Sequence, residues 1–248
     1  MRRWNSLSWL VLVILIVLLP ACGSDAPGGS PTPAKTAEVV HQHPDRSPVD
    51  GEEALRWLLE GNARFAAGKP KHDYQSQRRR MMLTTGQDPF AIILGCSDSR
   101  VPPELVFDFG LGEAFVIRVA GNVLAADEAG SIEYGVEHLG VPLVLVLGHE
   151  GCGAVTAAFE RLDDEVPELA ALLQLVRPSV EGIDESLPHD DKIHAGVEAN
   201  VRLTVKGLVA IMKRDKRLLE HKTLILGGVY ELKTGLVRIL EDTRNLVP

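Results

Sequence analysis

Residues 142–153 read PLVLVLGHEGCG, an apolar run that ends in a turn rich in glycine. Residues 142–147 are wholly apolar, which is typical of a strand buried on both faces of a parallel sheet. His149 and Cys152 follow at once, and Gly148, Gly151 and Gly153 around them permit tight backbone paths. We therefore predict a buried strand that ends in a strand-to-helix turn carrying an imidazole and a thiol.

Apolar strands alternate with helical patterns on both sides of this stretch. We predict strands at residues 90–95, 115–119, 142–147 and 223–230, with a hairpin or edge strand within 232–240. We predict helices before Gln87 and at residues 54–65, 102–109, 131–139, 151–162 and 193–217, with a polar, proline-containing insert at 163–191. This alternation predicts an α/β domain with a mostly parallel central sheet flanked by helices.

Three candidate metal ligands follow two of the predicted strands. Cys96 comes directly after strand 90–95, and His149 and Cys152 come after strand 142–147. Because ligands of open α/β sheets bind beyond the carboxyl ends of the strands, we expect these side chains to converge. Thiolate and imidazole ligands suit zinc, and three protein ligands leave a fourth position for a catalytic water. The carboxylate of Asp98, with Arg100 beside it, is a further candidate ligand.

A disulfide between Cys96 and Cys152 is the alternative interpretation, because an even pair of cysteines in an exported protein often forms one. That interpretation leaves His149, Asp98 and Arg100 without a role.

The first residues of the chain indicate export. Arg2 and Arg3 precede an apolar run of signal-peptide length, so we interpret residues 1–21 as a signal peptide. An uncleaved membrane anchor is the alternative. Leu19 to Cys22 resembles the lipobox of bacterial lipoproteins, which predicts lipidation at Cys22 and anchoring to a bacterial membrane. The catalytic domain, residues 49–248, would then lie in the periplasm or at the cell exterior, on a flexible tether of residues 22–48 rich in Gly, Pro and Ser.

Charge and composition narrow the range of partners. The chain has 248 residues, 45% of them hydrophobic, which suits one domain with a substantial core. Its formal net charge is -8, so it has no basic surplus to replace phosphate counterions. We therefore expect no nucleic-acid partner.

Three motifs resemble the β-class carbonic anhydrases. They are CSDSRVPPE from Cys96, GEAFVIRVAGN from Gly112 and GHEGCG from Gly148. The resemblance extends from about residue 54 to the region of Tyr230. It implies an enzyme that binds one zinc per chain, interconverts CO2 and bicarbonate, and assembles as a homodimer or homotetramer.

By position, the resemblance implies that Cys96, His149 and Cys152 are the permanent ligands. Asp98 and Arg100 match the catalytic pair, and Asp98 replaces water on zinc in some members of the family. Gln87 matches a glutamine that faces the substrate oxygen. Two other functions share these motifs: hydrolysis of a CO2 analogue such as carbonyl sulfide or carbon disulfide, and bicarbonate sensing without turnover.

Overall fold

A computed structural model describes residues 50–246, apart from residues 161–164, 216, 217 and 219. The predicted signal peptide, the lipidation site Cys22 and the tether of residues 22–48 lie outside the described residues. All of the described residues belong to one compact unit. Among them, no helix combines the length and the apolar character that a membrane span requires.

The described strands form one five-stranded sheet. They are β1 (Ala91–Gly95), β2 (Ala114–Arg118), β3 (Leu143–His149), β4 (Leu224–Tyr230) and β5 (Val237–Leu240), and their order across the sheet is β2-β1-β3-β4-β5. The first four strands are parallel, and β5 pairs antiparallel with β4 at one edge. The predicted mostly parallel sheet is confirmed, and so is the edge strand expected within residues 232–240.

Helices cover this sheet on both faces. In the described part of the chain they are α1 (Gly51–Ala66), α2 (Gln77–Met82), α3 (Pro103–Val106), α4 (Ala126–Leu139), α5 (Gly153–Ala158), α6 (Pro167–Val180) and α7 (His189–Met212). Every residue of β1 and β3 is buried, which requires cover on both sides. Burying one Leu, Ile or Val side chain contributes about 1.5–3 kcal/mol to stability. These two strands are therefore stable supports for the loops that follow them.

Local chemistry explains where the helices begin. α1 starts after Asp50, whose carboxylate accepts a hydrogen bond from the Glu53 amide at 2.8 Å. Proline occupies the first turn of α3 and of α6, where a missing N–H is no loss.

Several sequence-based boundaries were wrong. Residues 163–191 were predicted to be a polar insert, but they include α6, which buries Leu173 and Val176. α4 begins at Ala126 rather than at residue 131, because Glu128 caps its first turn by accepting from the Ala125 amide. α5 ends at Ala158, before the predicted end at residue 162, and α7 spans 189–212 rather than 193–217.

Candidate metal centre

The sheet topology brings Cys96, His149 and Cys152 together. Cys96 directly follows β1, His149 is the last residue of β3, and Cys152 immediately precedes α5. β1 and β3 are parallel neighbours, with Gly95 opposite Leu147 in the register. Their carboxyl ends therefore meet at one edge of the sheet, as the sequence predicted.

The three side chains form a buried group of donor atoms. The two sulfur atoms and the imidazole nitrogen lie within 4.8 Å of one another, and all three residues are buried. Both cysteines are free thiols, so the disulfide alternative does not describe this site.

A backbone carbonyl orients the His149 ring. Its Nδ1 lies 2.9 Å from the Glu150 carbonyl oxygen. A carbonyl oxygen only accepts, so Nδ1 carries the proton and Nε2 presents a lone pair. Nε2 is buried and has no hydrogen-bond partner within the described residues. A buried nitrogen of this kind, aimed at two thiols, is the arrangement of a metal ligand whose other ring nitrogen is held in place.

The two thiols strongly affect each other's ionisation. A hydrogen bond from the Cys152 thiol lowers the pKa of Cys96, and burial opposes this effect. The same hydrogen bond, together with burial and the nearby Cys96 thiolate, raises the pKa of Cys152 well above its usual range. Cys152 therefore keeps its proton more readily than Cys96, and a cation bound to both sulfur atoms would favour the loss of that proton.

These residues fit a zinc ion. Two thiolates and one neutral imidazole are ligands that zinc prefers, and three protein ligands are typical of a catalytic rather than a structural zinc site. Cys96, His149 and Cys152 would hold the ion, and all three are buried.

Asp98 and Arg100 form an ion pair beside this group. The Arg100 side chain donates to both carboxylate oxygens of Asp98, from Nε to Oδ1 at 2.9 Å and from Nη2 to Oδ2 at 2.6 Å. The Arg100 amide donates to Oδ1 at 2.9 Å. These bonds, led by those of the guanidinium group, hold the pKa of Asp98 well below its usual range.

The carboxylate of Asp98 faces the metal ligands without belonging to their group. Its Oδ2 lies 3.9 Å from His149 Nε2, and its side chain is 18% exposed. Arg100 Nη2 also donates to the Gly151 carbonyl at 3.2 Å, which links the loop after β1 to the turn after β3. The structure therefore places Asp98 and Arg100 beside the metal ligands at the carboxyl ends of β1 and β3, with Asp98 held by Arg100.

Two supporting residues were not predicted as part of the site. Arg118, at the end of β2, donates from Nε to the Cys96 carbonyl at 2.9 Å and from Nη2 to the Asp98 carbonyl at 2.6 Å. The Gly121 amide donates to the Cys96 sulfur at 3.3 Å. Both residues follow or end a strand parallel to β1, so the same topological rule that located Cys96 would have located them.

Gln87 lies elsewhere in the chain. It is exposed and precedes β1, whereas Cys96 follows β1, so the two are at opposite edges of the sheet. Gln87 lines a surface cavity with Leu83 and Leu111. A single chain therefore does not bring this predicted catalytic residue to the metal ligands.

A parallel sheet with a Cys-His-Cys donor group at its carboxyl edge defines the class: an α/β protein with a catalytic zinc site. A family model described as carbonic anhydrase matches residues 91–237. Carbonic anhydrase 2 of Mycobacterium tuberculosis is 39% identical over 208 residues, which cover 82% of this chain and 98% of the relative. The carbonic anhydrase of Mycolicibacterium smegmatis is 48% identical over 140 residues, which cover 55% of this chain and 66% of the relative. This chain belongs to the carbonic anhydrase family.

Solved structures agree with this assignment. The β-carbonic anhydrase CafA of Aspergillus fumigatus superposes with a TM-score of 0.61 at 26% identity, covering 77% of this chain and 95% of that one. The Coccomyxa β-carbonic anhydrase gives a TM-score of 0.60 at 29% identity, with 75% and 86% covered. The β-class resemblance of the sequence motifs is thereby confirmed.

Proposed function

We propose that this protein catalyses the reversible hydration of CO2 to bicarbonate and a proton, with one zinc ion held by Cys96, His149 and Cys152. The observation that carries the proposal is the ion pair of Asp98 and Arg100 beside the buried donor group. Bound zinc lowers the pKa of a water molecule and so supplies a nucleophile near neutral pH.

Asp98 orients the attacking water. Its Oδ2 faces the ligand group, where it can accept a hydrogen bond from that water and direct one lone pair towards the carbon of CO2. Because its pKa is held low, Asp98 accepts this bond as a carboxylate and does not retain the proton. The proton leaves towards solvent, on the exposed side of the site.

Arg100 keeps Asp98 in this role. Its guanidinium group occupies both carboxylate oxygens, which restrains the carboxylate from turning onto the metal. Its further bond to the Gly151 carbonyl fixes the distance between the two loops that carry the ligands.

The Asp98–Arg100 pair also separates the proposal from one of its two rivals, the bicarbonate sensor. A bicarbonate sensor has no need to orient an attacking water, so the pair favours turnover. Hydrolysis of carbonyl sulfide or carbon disulfide would use the same residues and remains the rival enzyme activity.

A stopped-flow assay of CO2 hydration on the purified, zinc-loaded full chain tests the proposal, with carbonyl sulfide as the second substrate. We expect CO2 hydration to be far faster than sulfide release. Zinc binding without turnover of either substrate would leave the sensor as the function.

We propose that Gln87 acts on substrate from a second copy of the chain. Exposed apolar side chains support an interface at this face: Met81 and Met82 are near Gln87 in the chain, and Leu111 lines the same surface cavity. Mixing inactive Gln87→Ala chains with inactive Asp98→Asn chains tests the idea. If Gln87 acts across an interface, a mixed dimer regains one intact site and hence activity; if it acts within its own chain, the mixture stays inactive.

We also propose that the protein is exported and lipid-anchored through Cys22, so that the enzyme works at a bacterial membrane, outside the cytoplasm. The charged residues Arg2 and Arg3, the apolar run and the lipobox-like Leu19–Cys22 stretch support this.

A further inference from the structure

The backbone around Gly121 has an unusual conformation. Gly121 has φ +69° and the next residue, Asn122, has φ +43°, so two successive residues adopt the left-handed region. An added Cβ at Gly121 would lie 3.1 Å from the Ala154 side chain and 3.2 Å from that of Val176. This conformation aims the Gly121 N–H at the Cys96 sulfur, 3.3 Å away. Glycine adopts this region without strain, whereas a left-handed Asn122 costs energy that its surroundings must offset.

Helix α7 holds it through two buried side chains. Asn200, which is 1% exposed, donates from Nδ2 to the Gly121 carbonyl at 2.7 Å. One turn later, Thr204 donates from Oγ1 to the Asn122 carbonyl at 3.3 Å. Asn200 therefore restrains Gly121, and Thr204 restrains Asn122. Of these two donors, Asn200 is the one bonded to the residue whose N–H reaches the sulfur.

We propose that Asn200 is a positioning residue for the metal-binding thiolate of Cys96. Its side-chain amide holds the Gly121 carbonyl in place, and this restraint keeps the Gly121 N–H directed towards the sulfur. The inference rests on the zinc site proposed above and adds a residue far along the chain that touches neither metal nor substrate.

The N–H···S hydrogen bond has two physical effects. It withdraws electron density from the thiolate, so the sulfur donates less charge to the metal, and it keeps the sulfur pointed at the other ligands. Without it, the thiolate becomes the stronger electron donor, and its charge-transfer transition to a bound metal moves to lower energy. The ligand also becomes less well placed, and the metal is held more weakly.

Asn200→Leu tests this inference, because leucine has nearly the same shape and no donor. Thr204→Val is the matched control: it removes the neighbouring donor from the same helix and leaves Gly121 untouched. Two quantities are measured on the full chain, the zinc affinity in competition with a chelator and the sulfur-to-metal charge-transfer band of the cobalt-substituted protein.

We expect Asn200→Leu to weaken zinc binding by roughly 10- to 100-fold, the usual effect of losing an outer-shell partner. We also expect its charge-transfer band to shift to lower energy. Thr204→Val should keep the unchanged protein's band. An unshifted band in Asn200→Leu, or an equal shift in both variants, would overturn the inference.

Two further outcomes are a variant that does not fold and an unchanged chain that binds no zinc. If Asn200→Leu does not fold, Asn200→Ala is measured instead, since it also removes the side-chain donor to the Gly121 carbonyl; it must show the same direction of shift. If the unchanged chain itself binds no zinc, the proposed function fails rather than the role of Asn200.

Discussion

Replacing Asp98 by asparagine removes one charge and changes almost no atoms, so it isolates the orienting role. Oδ1 of Asp98 receives two N–H donors of Arg100, and Oδ2 receives a third. An asparagine has only one oxygen. In either orientation its NH2 group faces an Arg100 donor, and one oxygen position no longer accepts.

The position facing the metal ligands is Oδ2, 3.9 Å from His149 Nε2. If the amide nitrogen takes that position, it donates where the attacking water needs an acceptor. If the oxygen takes it, two Arg100 donors face the NH2 group and the side chain is pushed out of place. Groups of this kind are worth roughly 10²–10⁴ in rate, which corresponds to about 2.7–5.5 kcal/mol in activation free energy.

We therefore expect Asp98→Asn to lose activity on this scale while keeping its zinc, because Cys96, His149 and Cys152 are unchanged. Stopped-flow CO2 hydration and elemental analysis measure the two quantities on one preparation. Asp184→Asn is the control, since it makes the same chemical change at a fully exposed position. A loss below about tenfold with full zinc would be too small for an orienting group and would refute the reasoning. Loss of zinc with activity would instead make Asp98 a ligand.

Three other perturbations have expected outcomes. Cys22→Ser should release the protein from the membrane fraction or leave its precursor uncleaved; normal processing and continued membrane binding would favour a helical anchor. Gly61→Ala places a Cβ 1.9 Å from a backbone carbonyl oxygen. Gly130→Ala, in helix α4, places a Cβ with no atom within 4 Å. In denaturant unfolding, the free energy of unfolding should fall by about 1–3 kcal/mol for Gly61→Ala and rise by about 0.5–1 kcal/mol for Gly130→Ala. Equal changes in the two variants would contradict the predicted clash. The Asp98 carboxyl should titrate below the ordinary value of about 3.9, so the ion pair stabilises the fold above that pH and is lost as pH falls through the lowered pKa. Arg100→Leu should raise the midpoint in an NMR titration, and an unchanged midpoint would remove Arg100 as the cause.

The metal ligands were predictable because parallel strands impose a rule on their ends. Cys96 and His149 are distant in sequence, yet each follows or ends an apolar strand, and the carboxyl ends of neighbouring parallel strands share one edge. Asp98 and Arg100 were predictable for the same reason, since they lie in the loop that begins at Cys96.

Helix α6 was not predicted because its prolines were interpreted as the mark of an irregular insert. Pro167 stands in its first turn, where proline favours a helix, and Pro178 stands near its end. Leu169, Leu172, Leu173 and Val176 have helical spacing in the sequence, so the signal was present. Polar residues on both sides concealed it.

The role of Asn200 could not be predicted from the chain alone. Asn200 lies on a long helix with an ordinary amphipathic pattern, and nothing local distinguishes it from other polar residues there. Its role depends on the left-handed backbone at Gly121, which α7 reaches only after the sheet has formed. Contacts of this kind depend on tertiary geometry at a scale of tenths of an ångström, below what strand order determines.

Gln87, which the resemblance assigned to the active site, shows that closeness in sequence is not closeness in space. It lies much nearer to Cys96 in the chain than His149 does, but all of β1 separates the two. Five residues of strand span about 16 Å at roughly 3.3 Å per residue, and Gln87 is further displaced by the residues before β1. A side chain cannot cross that distance, so a catalytic Gln87 must serve the ligand group of another chain. If it does, the isolated chain carries every metal ligand and still lacks a complete active site.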